Sequence, residues 1–296
     1  MTERVIVGRG AVAAAAARRL AESGDRVRVI SRSGGGPEHP GIERIALDAA
    51  DTPALIDAVQ GADTVFNAAM TAYHTWPEAM PPLFDSILTA AEKAGADYVM
   101  LGNLYGYRPA SPVTERTPME PTTRKGKVRA ELWRRAKAAH DEGRLRVTEL
   151  RAGQFLGPGA YSPFNLMVEP NVLKGELALV DGNPDAQHSF TYTEDAAAAL
   201  VALARSETAW GRAWHAPVLT ATVREVATRL AELRGAPEPR LEELTEREAA
   251  LLAFTDPLWG EFAEMAYMSS RPFIIDDGDF RAAFGIAASP LDTILA

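Results

Sequence analysis

Short apolar runs alternate with amphipathic stretches through the first half of the chain. Arg4–Val7 and Arg26–Ile30 are compact runs of the kind a strand covered on both faces requires, and Ala11–Glu22, ended by Gly24, carries helical spacing between them. Arg44–Leu47, Thr64–Phe66, Tyr98–Leu101 and Leu145–Leu150 repeat the strand pattern. Helices are expected over Thr52–Val59, Pro82–Ala94 (closed by Gly95) and about Lys125–His140. Six strands separated by helices predict an α/β fold with a doubly wound parallel sheet. After Gly157-Pro158-Gly159 the alternation loosens, leaving expected helices at Glu194–Ala204, Val223–Leu233 and Leu241–Leu252. The expected division is therefore a nucleotide-binding part over 1–158 and a smaller, mainly substrate-binding part over 159–296, with some segments returning to the main sheet.

Gly8-Arg9-Gly10-Ala11-Val12-Ala13 lies between the first strand and the first helix, the context that a dinucleotide fingerprint needs. Gly8 permits the tight turn, Gly10 lets backbone approach a pyrophosphate, and Ala13 stands where a third small residue packs helix on sheet. The amides of Ala11 and Val12 open a helix N-terminus toward the phosphates. This pattern predicts a Rossmann-type domain. The second strand ends in Ser31-Arg32-Ser33, where an NAD-selective site usually carries an acid for the ribose hydroxyls. A guanidinium flanked by hydroxyls suits a 2′-phosphate, so NADP is the expected cofactor, with Arg9 either a second cation for it or a solvated loop residue.

Composition narrows the partners. With 31 Lys+Arg against 40 Asp+Glu the net charge is -9, which opposes sequence-independent binding to nucleic acid or an anionic membrane surface. A chain of 296 residues that is 47% hydrophobic can bury a core, and zero Cys excludes disulfides and thiolate chemistry. No apolar run is long enough for a membrane span, and the five His lack metal-ligand spacing. A cytoplasmic protein with a small-molecule substrate and no metal is expected.

Further motifs, in order, carry a family resemblance. Leu47-Asp48 with Asp51, Val65-Phe66-Asn67-Ala68-Ala69, Tyr105-Gly106, Arg151 through Gly157-Pro158-Gly159, and Ser189 through Ala196 match successive segments of one pattern. The chain resembles the extended short-chain dehydrogenase/reductase family, the NAD(P)-dependent epimerase/dehydratase-like proteins, over nearly its full length. The resemblance implies cofactor contacts at Asp48, Asn67, Ala68 and Ala69, and by analogy a homodimer.

The family's reaction centre is a Tyr four residues before a Lys. Here that slot falls in Pro121–Arg129 with two registers, Thr123/Lys127 or Lys125/Arg129, and neither supplies a Tyr. The second is favoured by Gly126 and by the spacing from Tyr105; the first would give Lys127 to the cofactor. Lys125 beside Arg129 would have its proton affinity lowered by like charge and desolvation, making it a candidate donor. Two cations at a helix start also oppose the macrodipole, which implies an anion opposite, such as the cofactor. Asn103, Tyr105 and His74 are the other catalytic candidates, and Met70, Tyr73, Trp76, Tyr107, Phe155, Tyr161 and His188 are candidates for the substrate wall. Because only His188 stands where sugar-nucleotide enzymes carry a basic residue for the diphosphate, a nucleotide sugar is disfavoured. The expected function is an atypical NADP-dependent oxidoreductase acting on a small, largely apolar metabolite. Its alternatives are an epimerase or dehydratase with transient oxidation, and a non-catalytic NADP sensor or scaffold.

Overall fold

The computed structural model describes residues 2–296. The first half runs β1 (Glu3–Val7), α1 (Ala11–Glu22), β2 (Arg26–Ser31), β3 (Ile42–Ala46), α2 (Thr52–Ala58), β4 (Thr64–Asn67), α3 (Trp76–Ala94), β5 (Asp97–Asn103), α4 (Arg124–Asp141) and β6 (Val147–Ala152). The second half runs β7 (Gln154–Leu156), α5 (Glu169–Lys174), β8 (Leu177–Val180), β9 (Gln187–Tyr192), α6 (Thr193–Arg205), β10 (Ala213–His215), β11 (Leu219–Thr222), α7 (Val223–Arg234), β12 (Arg240–Glu243), α8 (Glu246–Leu252), α9 (Pro257–Gly260), α10 (Gly278–Phe284) and α11 (Leu291–Leu295). The expected α/β class with a doubly wound parallel sheet is the observed one. Seven parallel strands stand in the order β10-β6-β5-β4-β1-β2-β3. The order reverses between β1 and β4, so their carboxyl ends part to form the crevice where such sheets bind ligands.

Both faces of the sheet are covered, which is why β4 and β6 are buried along their whole length. On one face the alanine-rich α1 packs against the alanine-rich α6, small side chains letting the two helices approach closely over Ile6, Val29, Val99 and Leu150. On the other, α2, α3 and α4 cover Val5, Val7, Val65, Tyr98 and Met100. A third core lies under a lobe built from the sheet β11-β9-β7, the pair β12-β8, and helices α5 and α7.

Three local departures from the expected elements have identifiable causes. The seventh strand, β10, is three residues long and too short to register as an apolar run; it places Trp214 against Phe280 and Phe284 in the core. Helix α3 starts at Trp76, six residues before Pro82, with Pro77 in its first turn and Pro81 and Pro82 inside it. The stretch expected as one helix over Leu241–Leu252 is strand β12 followed by α8. Thr245 and Glu248 form a reciprocal cap that starts the helix at Glu246 and leaves the preceding residues free to pair with β8.

Candidate functional site

The carboxyl ends of β1 and β4 meet at Gly8. Its φ of 125° is in the region only glycine adopts readily, and a Cβ there would lie 2.5 Å from the Ala68 carbonyl oxygen. Gly10, the residue before α1, has nothing within 4 Å of where a Cβ would stand, so its backbone faces open space at a helix N-terminus. Gly159 approaches the same place: a Cβ on it would lie 3.6 Å from Ala11 Cβ. A glycine turn that is tight on one side and open on the other fits a dinucleotide pyrophosphate. Beyond β2, Ser31 Oγ donates to the Gly35 carbonyl at 2.9 Å and Ser33 Oγ accepts from the Gly35 amide at 3.3 Å. Arg9 leans on this folded loop, its Cδ within 3.3 Å of a Cβ placed on Gly35. Arg9 and Arg32 are both exposed and, among the described residues, neither pairs with a carboxylate, whereas nearby Arg44 pairs with Glu38.

The other end of the crevice is assembled from the ends of β4 and β5 and the start of α4. Asn67 is buried, donates from Nδ2 to Tyr98 Oη at 2.7 Å and accepts from the Ala69 amide, which fixes the turn after β4. Asn103 Oδ1 accepts from the Tyr105 amide at 3.2 Å and shapes the turn after β5. Thr123 caps α4 by accepting from the Gly126 amide at 3.0 Å, and a Cβ on Gly126 would collide with the Tyr105 carbonyl. That close seating turns Lys125 and Arg129 inward, 1% and 3% exposed, and leaves Lys127 on the solvent side. Of the two pairs considered, Lys125 and Arg129 is the one whose side chains both turn inward.

A cluster results. Tyr73 Oη donates to Tyr105 Oη at 3.2 Å; Trp76 packs edge-on to Tyr73 and tilted against Tyr105; the Arg129 guanidinium stacks 4.6 Å over Trp76, with Nη2 at 3.6 Å from Met70 Sδ. Burial raises both phenols, but Tyr105 is opposed by the hydrogen bond it receives from Tyr73 and by the charge of Arg129, whereas Tyr73 is raised further by Tyr105. Burial also lowers Arg129, to about 10.

The anion expected opposite Lys125 is, for that residue, the protein's own. Glu261 and Glu264, from the segment after α8, both bind its ammonium, Glu264 at 2.5 Å, and Glu264 also accepts from the Lys125 amide at 3.0 Å. The ammonium lies 4.6 Å from the Tyr73 ring centre, and Arg124 brings a second cation to the same carboxylates. Nothing in the local sequence signals this clamp, because its halves are well over a hundred residues apart.

Asp181, just past β8, is another member absent from the sequence reading, and its charge reaches both Tyr73 and Tyr105. Burial, reinforced by Glu243, pushes its carboxyl up from 3.8 to about 6. The folded protein therefore holds this proton more tightly than the unfolded chain, and stability contributed by the neutral acid is lost as pH rises from 3.8 through about 6. Asp181→Asn is expected to flatten that part of the stability curve and to raise the urea midpoint at neutral pH; an unchanged pH dependence would refute the assignment.

Several other candidates lie apart from the cluster. His74 is exposed although its neighbours Tyr73 and Trp76 turn inward. Asp48 is exposed, its Oδ1 accepting from the Ala50 amide. Tyr107 is buried in a second polar group, its Oη 3.0 Å from His215 Nε2, and the Arg151 guanidinium stacks on its ring. His188 is buried in β9 against Phe190, Phe155 packs toward the core between α1 and α6, and Tyr161 is exposed on the loop after Gly159. Among the described residues there is no cluster with metal-ligand character and no helix long and apolar enough to cross a membrane.

The model of the NAD dependent epimerase/dehydratase family matches residues 5–214, which is most of the chain and includes both ends of the crevice. The chain belongs to this family. The chain also resembles solved structures over nearly all its length. An epimerase from Methanothermobacter thermautotrophicus has a TM-score of 0.81 at 16% identity, covering 99% of this chain and 91% of that one. UDP-glucose 4-epimerase from Thermotoga maritima, solved with UDP-glucose, scores 0.79 at 16% identity, covering 99% and 96%. MoeE5, solved with UDP-glucuronic acid and NAD, scores 0.77 at 19% identity, covering 99% and 97%. At these identities the structures share the fold. A comparison with curated proteins gives no match.

Proposed function

We propose that this epimerase/dehydratase-family chain is an NADP-dependent hydride-transfer enzyme in which a tyrosine outside the family's usual slot carries the proton. The observation that carries the reading is the Tyr73–Tyr105 phenol pair beside the stacked Arg129, at the ends of β4 and β5. NADP, when bound, supplies the hydride chemistry. Gly8, Gly10 and the start of α1 would hold its pyrophosphate, Arg9 and Arg32 its 2′-phosphate. Tyr105 Oη gives its proton to a substrate carbonyl oxygen, or takes one from the corresponding hydroxyl. Tyr73, donating to the same oxygen, stabilises the phenolate that forms, and so does the Arg129 charge. Lys125 is committed to Glu261 and Glu264, which argues against the role of proton donor given it from sequence.

The family match and its sugar-converting neighbours favour the epimerase or dehydratase mode, in which oxidation is transient and the cofactor is restored, over net reduction. The substrate differs from those neighbours' in this reading, because His188 is buried and offers no exposed cation for a diphosphate. Product formation without net change in nicotinamide absorbance supports this mode; stoichiometric NADPH consumption would overturn it.

Cofactor selectivity is separately testable by titration. NADPH is expected to bind about 10–100-fold more tightly than NADH, since charge-assisted bonds to the phosphate contribute roughly 1.5–3 kcal/mol. Arg32→Ala should remove most of that preference, and Arg9→Ala part of it. Equal affinities in the unmodified protein would overturn the assignment, which is a point of interest because the neighbours were solved with NAD.

A further inference from the structure

The proposed function uses the phenols and leaves Lys125 in its carboxylate clamp, but the electrostatics of Arg129 stay incomplete. Arg129 is a buried guanidinium, and two of its nitrogens, Nε and Nη1, have no hydrogen-bond partner among the described residues. Trp76, the ring it stacks on, is 2% exposed and its Nε1 is also unpartnered, as is Thr71 Oγ1 in the loop that leads to it. Arg129 and Trp76 thus bring unpartnered N–H groups together in one stack beside Tyr105.

Ion pairing around the stack leaves Arg129 without a carboxylate of its own among the described residues. Lys125 and Arg124 are matched by Glu261 and Glu264. Glu149, whose charge reaches Arg129, is hydrogen-bonded to Arg151 at 2.7 Å. Asp181 acts on the phenols and makes no ion pair with Arg129 among the described residues. Stacking on Trp76 and Phe84 offsets part of the desolvation cost of a buried cation but provides no acceptor for its N–H groups.

We propose that Arg129, with Trp76 Nε1, forms an oxyanion subsite that receives a carboxylate of the substrate, so that the enzyme acts on a small hydroxy or oxo acid. The inference rests on the proposed function, because it places the substrate beside Tyr105. The cofactor is a poor source for the anion. Its phosphates are accounted for at Gly10 and at Arg9 with Arg32, and its nicotinamide ribose offers neutral hydroxyls. A carboxylate supplies one charge to the one unpaired guanidinium, whereas a phosphate dianion would add a second negative charge among Glu149, Glu264 and Asp181. Planar N–H donors also suit a planar acceptor. A carboxylate on the substrate departs from the small, largely apolar metabolite expected from the sequence.

Calorimetric titration of the NADP-loaded protein with oxamate, its neutral analogue oxamide, and inorganic phosphate tests the subsite. Oxamate is expected to bind at least about tenfold more tightly than oxamide, as a charged hydrogen-bond pair contributes. Arg129→Met should abolish that difference while leaving NADP affinity unchanged. Arg129→Lys, which keeps the charge without the planar fork, should retain part of it and serves if the Met variant fails to fold. Equal binding of oxamate and oxamide, undiminished oxamate binding by Arg129→Met, or phosphate bound more tightly than oxamate would each overturn the proposal. So would a parallel loss of NADP affinity in Arg129→Met, which would assign the guanidinium to the cofactor. Failure of the unmodified protein to bind NADP would instead strike the function proposed above, and oxamate titrated into cofactor-free protein then still reports on Arg129.

Discussion

Tyr105→Phe is expected to lower kcat by about 10²–10⁴-fold, the range for losing a positioned general acid, with NADP affinity unchanged. The geometry separates Tyr105 from the other phenols of the site. Tyr73 donates its own proton to Tyr105 Oη, so the Tyr105 hydroxyl is the one left to bond a substrate oxygen. Both rings resist ionisation because they are buried, yet only Tyr105 has a hydrogen bond and a guanidinium charge acting in the opposite direction. Tyr73→Phe should therefore lower kcat by less. The double variant should be little worse than Tyr105→Phe, since the two oxygens act as one unit. Steady-state rates of the three variants, alongside NADPH titrations, check the ordering. Full turnover by Tyr105→Phe would remove the phenol from the reaction; it would return Lys125, whose replacement by Met is the companion measurement, to consideration.

The legible parts of this molecule are those in which neighbours in sequence are neighbours in space. The strand-turn-helix around Gly8 and Gly10 is such a case, and so are the cap of α4 and the inward turn of Lys125 and Arg129, which Gly126 enforces by lying against the Tyr105 carbonyl. Tyr73, Trp76, Tyr105 and Met70 were all nameable as residues at the carboxyl edge of the sheet. Their mutual arrangement was not, because α3 and β5 separate Tyr105 from the rest. Tyr107 shows the limit from the other side: two residues past Tyr105, it turns toward His215 and Arg151 in a different buried group. The clamp of Glu261 and Glu264 on Lys125, and the position of Asp181, depend on how the lobe folds back over the sheet, which no local pattern encodes. Glu149 and Arg151, by contrast, are legible in the strand's own pattern. Two opposite charges spaced by two within an otherwise apolar strand point to the same face and can pair there.

That pair carries the largest expected effect on stability. Glu149→Ala should destabilise the fold by about 3–5 kcal/mol, the cost of leaving a buried charge without its counter-ion. Glu149 and Arg151 are 2% and 3% exposed, and the carboxylate bonds Arg151 Nε at 2.7 Å. It lies across Gly102 of the adjoining strand, where a Cβ would overlap Oε1, so this glycine is what lets a charged side chain cross β5 toward Arg129. Among the described residues Arg151 is otherwise held by the Tyr107 hydroxyl, by aromatic faces and by a sulfur: Tyr107 at 4.6 Å, Trp133 at 5.4 Å and Met119 Sδ at 3.1 Å. Removing the carboxylate thus strands Arg151 and also strips Arg129 of the negative charge that reaches it. Urea unfolding of Glu149→Ala measures the loss. The paired replacement Glu149→Leu with Arg151→Met separates the explanations, because exchanging a buried ion pair for apolar side chains is often close to neutral. If the double variant recovers most of the stability, the cost in Glu149→Ala is that of the stranded guanidinium; if it is as unstable as the single variant, the carboxylate's service to Arg129 and the packing over Gly102 outweigh the pair itself. A midpoint for Glu149→Ala matching the unmodified protein would contradict the buried counter-ion role outright.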